Sequence, residues 1–144
     1  MDEKLFAFRG RRPFKSYIIG KPTKYGIKIV VMCDVENNCM VNAIPYLGSH
    51  IQTKGFPPTS YFMEELTRSI QVTNKNITMD NWFTSVSLAD KLLMKPINLT
   101  IVGTLPKNKR EIPPELLQLR SRSVGISTYC FDQHKPLLSY KTKQ

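Results

Sequence analysis

Short apolar runs separated by polar turns dominate the first third of the chain. Residues 27–33 are almost continuously apolar and rich in β-branched side chains, which is typical of a strand buried on both faces. Residues 39–46 are similar, and residues 34–38 between them have the composition of a turn. The pattern therefore predicts an antiparallel hairpin, with residues 2–8 as another strand.

Helical periodicity begins after residue 60. Phe62, Leu66 and Ile70 lie four residues apart and predict a helix over 61–71 with one apolar face. Residues 85–94 have similar spacing, and Pro96 ends that segment. The other predicted elements are strands at 76–79 and 99–102, a short helix at 113–119, and a hairpin of 129–131 with 137–140.

The order of these elements predicts an α/β fold. A meander followed by alternating helices and strands favours a mixed sheet with helices packed on it. We expect residues 99–102 to lie in the same sheet as the hairpin of 27–33 and 39–46. The order is compatible with a ribonuclease-H-like core, and the pattern leaves other α/β folds open.

Composition limits the class of protein. Hydrophobic residues make up 41% of the 144 residues, enough for a packed core and against disorder. No apolar run approaches the roughly 20 residues of a membrane span, so we expect no membrane partner. Cys33, Cys39 and Cys130 are odd in number and lack a C-x-x-C spacing. They predict free thiols rather than a disulfide scaffold or a zinc site, with Cys33 buried.

The charge points to a polyanionic partner. The chain has 21 Lys and Arg against 11 Asp and Glu, a net charge of +10. Two basic segments lie beside glycine or proline, which suits loops that contact nucleic-acid phosphates, although a solvated surface is the plain alternative. The predicted nucleic-acid-binding residues are Arg9, Arg11, Arg12, Lys15, Lys107, Lys109 and Arg110.

Two acids lie at predicted strand ends. Asp80 follows the strand at 76–79, and Asp2 opens the first strand. Metal-dependent phosphodiester chemistry needs carboxylates that converge on rigid elements, because Mg²⁺ prefers oxygen ligands. A turn or cap residue at Asp80, and a solvated residue at Asp2, are the alternatives that spacing alone favours. His50 and His134 have no catalytic partners at a useful spacing, and no phosphate-binding glycine motif is present.

Several motifs together resemble the piggyBac transposase family. An early block combines D-E at residues 2–3 with F-R-G-R at 8–11 and P-F at 13–14. K-P-T-K-Y-G-I-K follows at 21–28 and P-Y-L-G at 45–48. The long motifs D-N-W-F-T-S at 80–85 and N-K-R-E-I-P at 108–113 are the most specific, and the resemblance covers nearly the whole chain. Arg12 stands where the family pattern has a Cys.

The resemblance implies a ribonuclease-H-like DDE/D fold, a mixed sheet flanked by helices. Intact relatives cleave and rejoin DNA at TTAA sites with Mg²⁺ or Mn²⁺, act in the nucleus and are expected to be homodimers. By motif, Asp2 and Asp80 match the first two catalytic, metal-binding acids. The third acid is expected downstream of residue 144, so the chain is interpreted as a truncated core. Residues 1–105 are then the first part of the core, and residues 106–144 the incomplete start of an insertion region.

Two functions remain open. The first is a fragment of a metal-dependent transposase that is inactive alone because it lacks the third acid. The second is a non-catalytic DNA-binding or interaction module derived from a transposon. Both retain the basic loops, and only the first requires Asp2 and Asp80 to meet. An RNA-binding domain is disfavoured, because it would carry aromatic recognition strands.

Overall fold

The computed structural model describes residues 1–53 and 55–142. By its internal contacts the chain forms two compact units, Met1–Thr104 (unit 1) and Leu105–Gln144 (unit 2). None of the helices in the described residues is long and apolar enough to cross a membrane.

Unit 1 contains six strands and two helices, with short 3₁₀ turns at Gly48–His50 and Arg68–Ile70. The strands are β1 (Asp2–Ala7), β2 (Lys15–Tyr17), β3 (Tyr25–Asp34), β4 (Cys39–Pro45), β5 (Asn76–Met79) and β6 (Thr100–Gly103), and the helices are α1 (Pro58–Thr67) and α2 (Val86–Leu93). Unit 2 contains helix α3 (Pro114–Leu117) and strands β7 (Ser127–Phe131) and β8 (Pro136–Tyr140).

Strand β3 is the centre of a four-stranded antiparallel sheet. It pairs with β1 along one side and with β2 and β4 along the other. The β3–β4 pair is the predicted hairpin, which is therefore confirmed. The three-residue strand β2 was not predicted, because it is too short to show alternation.

Strands β5 and β6 form a separate two-stranded parallel sheet, with α2 in the connection between them. The prediction that residues 99–102 join the hairpin's sheet is therefore wrong. The helical connection returns β6 parallel to β5 and beside it, which gives β6 its hydrogen-bonding partner. One hydrogen bond joins the two sheets, from the Met1 amino group to the carbonyl oxygen of Thr78 at 2.5 Å.

One face of β3 supplies the core of unit 1. Val30 and Met32 are buried and belong to one hydrophobic cluster with Phe62 and Leu66 of α1. The alternate residues of β3, such as Ile29, are only half-buried. The expectation that this strand is buried on both faces is therefore wrong, because within unit 1 α1 covers one face only.

Cys33 is exposed, so the prediction of a buried thiol is also wrong. Cys33 directly follows the buried Met32, so strand alternation places its side chain on the opposite face of β3, which α1 does not cover. The side chain is therefore not in the core, although it ends the most apolar run of the sequence.

Unit 2 is built on the antiparallel hairpin of β7 and β8. Leu116 of α3 is its one buried hydrophobic residue among those described. The guanidinium of Arg122 donates hydrogen bonds to the carbonyl oxygen and hydroxyl of Ser139 at 3.1 and 3.0 Å, and to the carbonyl oxygen of Glu115 at 3.2 Å. One arginine thus ties the α3 segment to the hairpin.

Candidate metal centre

Strands β1 and β5 bring the two predicted acids to one place. The hydrogen bond from the Met1 amino group to Thr78 fixes the start of β1 beside the end of β5. Asp2 is the first residue of β1, and Asp80 directly follows β5. This hydrogen bond, together with the packing of β3 and β5 residues in one core, brings together side chains that are separated by most of unit 1 in sequence.

Three carboxylates converge at this point. One oxygen each from Asp2, Glu3 and Asp80 lies within 4.8 Å of the other two. Asp2 and Asp80 are exposed and Glu3 is half-buried. Hard oxygen donors at this separation suit a divalent cation such as Mg²⁺ or Mn²⁺, so the residues present fit the ion that the family implies. The structure brings the two predicted acids together, and their chemical role stays a prediction.

Sequence reasoning missed Glu3. Side chains of adjacent strand residues point to opposite faces, so alternation separates Glu3 from Asp2. Here the Asp2 carboxylate bends toward the next residue and accepts a hydrogen bond from the Glu3 amide at 2.7 Å. The only available signal was the acidic pair itself at the start of β1.

The segment after Asp80 is held by a local network. The amide of Phe83 and the hydroxyl of Thr84 both donate to the Asp80 carbonyl oxygen, at 3.1 and 2.9 Å. The Ser85 hydroxyl accepts from the Leu88 amide at 3.2 Å and caps α2. These bonds satisfy backbone groups at the strand-to-helix junction and fix the position of Asp80.

Aromatic packing anchors the same segment. The ring centroids of Trp82 and Phe83 lie 4.7 Å apart, and Tyr46 and Phe62 lie 6.0 and 6.2 Å from Trp82. Phe83 is fully buried, whereas Trp82 is half-buried. The D-N-W-F-T-S motif thus combines an exposed acid with an aromatic anchor and a helix cap.

Gly103 of β6 also supports the segment. A Cβ atom at this position would lie 2.3 Å from the Thr84 hydroxyl oxygen and 3.0 Å from the Met79 side chain. Only glycine lets Thr84 approach β6 closely enough to keep its bond to Asp80. The glycine that ends the predicted strand therefore has a packing role.

The predicted DNA-binding residues of unit 1 lie in the β1–β2 connection and at the start of β2. Arg9, Arg11, Arg12 and Lys15 are all exposed. Within residues 1–53 and 55–142 the three arginines make no ion pair. The Lys15 ammonium lies 5.4 Å from the centre of the Tyr25 ring. Three cations are thus free to contact an anion.

In unit 2 the predicted residues lie in the segment before α3. Lys107 and Arg110 are exposed, and Lys109 is half-buried. The Lys109 amide donates to the carbonyl oxygen of Pro106 at 3.2 Å, so this segment turns tightly. The DNA contacts of both basic segments stay predictions.

Comparison with known proteins places the chain in a family. The family model described as Transposase IS4 matches residues 1–144. The chain is 54% identical, with a TM-score of 0.92, to a chain in a cryo-EM structure of a piggyBac transposase synaptic complex with hairpin DNA. The match covers 99% of this chain and 30% of that one. The mixed α/β fold with few helices and the converging acids agree with these two matches. The chain belongs to the IS4/piggyBac-type transposase family and corresponds to part of a piggyBac-type transposase.

Proposed function

We propose that this chain supplies the first two metal-binding acids and part of the DNA-binding surface of a piggyBac-type transposase. Asp2 and Asp80 hold Mg²⁺ or Mn²⁺, and the basic segments contact the DNA backbone. The reaction of the whole protein is cleavage and transfer of DNA strands at TTAA sites. Residues 1–105 belong to the catalytic core, and residues 106–144 to the start of an insertion region.

The observation that carries this proposal is the convergence of Asp2, Glu3 and Asp80 to within 4.8 Å where β1 and β5 meet. A solvated turn acid or a simple helix cap has no reason to meet a second acid at a strand end. When bound, the ion polarises the scissile phosphate and activates the attacking hydroxyl. The chain's own residues position the acids, hold the neighbouring phosphates and leave the site open to solvent.

The arrangement of strands supports a ribonuclease-H-like core. The antiparallel strands β4, β3 and β1 are followed, across the Met1–Thr78 hydrogen bond, by the parallel pair β5 and β6. Acids at the ends of β1 and β5 then lie side by side at the centre of this arrangement. Central strand ends are rigid positions, which a metal site requires.

The unpaired arginines support DNA as the partner. Arg9, Arg11 and Arg12 are exposed and carry no neutralising acid among the described residues. Contacts between such side chains and phosphates fix the position of the DNA and carry little base information. Because the substrate is chromosomal DNA, we expect the protein in the nucleus. We also expect two copies to act together on a pair of DNA ends.

A non-catalytic DNA-binding module is the second candidate. The free arginines of the β1–β2 connection support it as well as they support the first. The two candidates differ at the acids, because only a catalytic core binds a divalent ion through Asp2 and Asp80.

Binding of Mn²⁺ separates the two candidates. Free Mn²⁺ is measured by electron paramagnetic resonance in titrations of the 144-residue chain and of Asp2→Asn and Asp80→Asn. We expect each variant to weaken binding at least tenfold, because each removes a charged oxygen ligand. Asp90→Asn, on α2, is the control and leaves binding unchanged. Equal affinity in all four proteins supports the non-catalytic module.

Binding of duplex DNA at several salt concentrations tests the basic segments. Replacing Arg9, Arg11 and Arg12 with Ala is expected to flatten the log–log salt slope by up to about three, since each phosphate contact contributes roughly 0.9. The control replaces Arg68, Lys91 and Lys95, which removes the same charge elsewhere in unit 1. An equal slope in wild type and the arginine variant would show a solvated surface. A second triple variant at Lys107, Lys109 and Arg110 tests the segment in unit 2.

The purified 144-residue chain is expected not to nick TTAA-containing DNA with Mg²⁺ or Mn²⁺. Two acids of the three that the family uses do not complete a two-metal site. The measurement is a gel assay with end-labelled DNA. Nicking by wild type that Asp80→Ala abolishes would contradict this expectation.

A further inference from the structure

Lys28 of β3 carries a mostly buried ammonium that contacts a carboxylate and two aromatic rings. Its side chain is only 15% exposed, and its ammonium lies 3.9 Å from a carboxylate oxygen of Glu3. The same ammonium lies 4.2 Å from the centre of the Trp82 ring and 5.2 Å from that of Tyr46. Two aromatic faces and one carboxylate therefore hold it, and such contacts strengthen when water is excluded.

Backbone pairing with β3 fixes the position of Tyr46 beside the Lys28 ammonium. The Tyr46 amide donates to the carbonyl oxygen of Lys28 at 2.8 Å. Trp82 is two residues from Asp80, in the segment anchored by Phe83 and Thr84. The ammonium is thus confined by groups that do not move independently of the acids.

Glu3 lies between this ammonium and the two catalytic acids. Its carboxylate is within 4.8 Å of oxygens of Asp2 and Asp80, and it is also the ion-pair partner of Lys28. A carboxylate that a confined cation holds is less available to a metal ion. Glu3 on the ion would be a carboxylate beyond the three acids that the family uses, and it would occupy a position that phosphate or water needs.

We propose that Lys28 is a positioning residue that holds Glu3 in the ion pair, so that of these three carboxylates only Asp2 and Asp80 bind the divalent ion. This inference rests on the proposed function. Removal of Lys28 frees the Glu3 carboxylate, which then binds the ion and displaces a water molecule from it. The substitution tightens metal binding and leaves fewer positions on the ion for water or phosphate.

A second lysine in unit 1 offers a matched control. Lys91 pairs with Glu64, and its ammonium lies 5.3 Å from the centre of the Phe56 ring. It thus has the same kinds of contact as Lys28, but its side chain is 47% exposed and its partner is outside the carboxylate group. Lys91→Met removes an ion pair and an aromatic contact without touching the acids.

The test is a double-mutant cycle on Mn²⁺ affinity in the 144-residue chain. The variants are Glu3→Gln, Lys28→Met and the double variant, with Lys91→Met and Asp80→Asn as controls. Loss of a unit charge several ångströms from a divalent ion is expected to tighten binding about tenfold in Lys28→Met. Charge effects alone are additive, so they cancel in the cycle. We expect Glu3→Gln to cost at least tenfold more affinity in the Lys28→Met background than in wild type.

Water-proton relaxation gives a readout that a merely structural role would not change. It reports how many water molecules remain on bound Mn²⁺. Relaxivity is expected to fall in Lys28→Met and to recover in the double variant. Lys28→Arg keeps the charge and stacks on aromatic rings, so it is expected to behave as wild type. Fluorescence of Trp82, the single tryptophan, reports loss of the neighbouring ammonium and should change in Lys28→Met but not in Lys91→Met, while circular dichroism checks the fold.

Two results overturn the inference while leaving the proposed function intact. One is an additive cycle with unchanged relaxivity in Lys28→Met. The other is loss of a bound carboxylate, seen as raised relaxivity, in Glu3→Gln with Lys28 present, because Glu3 would then already be a ligand. If Lys28→Met does not fold, the Glu3→Gln and Lys28→Arg measurements decide. Mn²⁺ binding by wild type that Asp80→Asn leaves unchanged would overturn both the inference and the proposed function.

Discussion

Units 1 and 2 both contain an antiparallel hairpin, but different forces hold the two hairpins in place. The β3–β4 hairpin of unit 1 lies against α1 over a cluster of eleven buried hydrophobic residues. Among the described residues, the β7–β8 hairpin of unit 2 has one buried hydrophobic neighbour, Leu116, and a set of hydrogen bonds from Arg122. Area buried from water stabilises the first, whereas directional bonds of one side chain stabilise the second. The candidate metal centre lies on the unit with the larger core, which suits a site that needs fixed geometry.

The largest effect is expected from the core of unit 1. Phe83→Ala removes a fully buried ring next to Trp82 and should lower the free energy of unfolding by about 3–5 kcal/mol. Urea denaturation followed by circular dichroism measures the change. Phe56→Ala removes a ring that is 45% exposed and should cost about 1 kcal/mol or less. Similar losses in the two variants would mean that burial does not stabilise unit 1 as described.

An intermediate effect is expected in unit 2. Arg122→Ala removes the hydrogen bonds to Ser139 and Glu115 and should destabilise the hairpin by about 1–3 kcal/mol. Hydrogen exchange of the β7 and β8 amides reports this locally. Arg122→Lys should recover little, because an ammonium does not reproduce the guanidinium fork. Arg120→Ala, at an exposed position, is the control, and equal exchange in both alanine variants would refute the role of Arg122.

The smallest effect concerns one acid in each hairpin turn. Hydrogen bonds from the Asn37 side chain and the Glu36 amide lower the pKa of Asp34. The Gln133 amide, followed by Lys135, lowers the pKa of Asp132. A lowered pKa in the folded state means that each carboxylate stabilises its turn above the unfolded value of 3.8, and that this contribution is lost as pH falls through the folded pKa.

Salt should distinguish these two acids. Hydrogen bonds from neutral amides are the main cause of the lowered pKa of Asp34, and the charge of Lys75 is the smallest cause, whereas Lys135 both donates a hydrogen bond to Asp132 and places a charge beside it. High salt should therefore raise the titration midpoint of Asp132 more than that of Asp34, as measured by carboxyl-carbon NMR titrations at low and high salt. Lys135→Gln should remove the difference. Equal salt dependence would show that the exposed ion pair contributes nothing to the pKa.

Local patterns predicted most elements of the fold. The strand at Asn76–Met79 agrees at both ends, and the hairpins and helices lie where periodicity placed them. The separate sheet of β5 and β6 was not predictable, because pairing between distant strands depends on the helical connection and not on composition. Cys33 is exposed because it lies on the face of β3 opposite Val30 and Met32, and a continuous apolar run does not show that only one face of the strand is covered.

The candidate site was predictable in its residues but not in its geometry. Motif resemblance nominated Asp2 and Asp80, while spacing alone favoured a turn acid and a solvated acid. Their convergence depends on the packing of β3 and β5 in one core and on the contact between Met1 and Thr78, which no pattern along the chain encodes. The proposed role of Lys28 was not predictable from the sequence, because it depends on contacts with Glu3 and Trp82, which lie far from Lys28 along the chain.

The space shared by Gly103 and Thr84 has an evolutionary consequence. Because a Cβ at 103 would overlap the Thr84 hydroxyl, neither position is free to change independently. A larger residue at 103 requires a smaller one at 84, and that exchange forfeits the bond to the Asp80 carbonyl. In a library randomised at both positions and selected for a folded chain, substitutions at the two sites should therefore covary. The substitutions tolerated at Gly103, at the end of β6, are therefore limited by Thr84, which lies on the segment that follows Asp80.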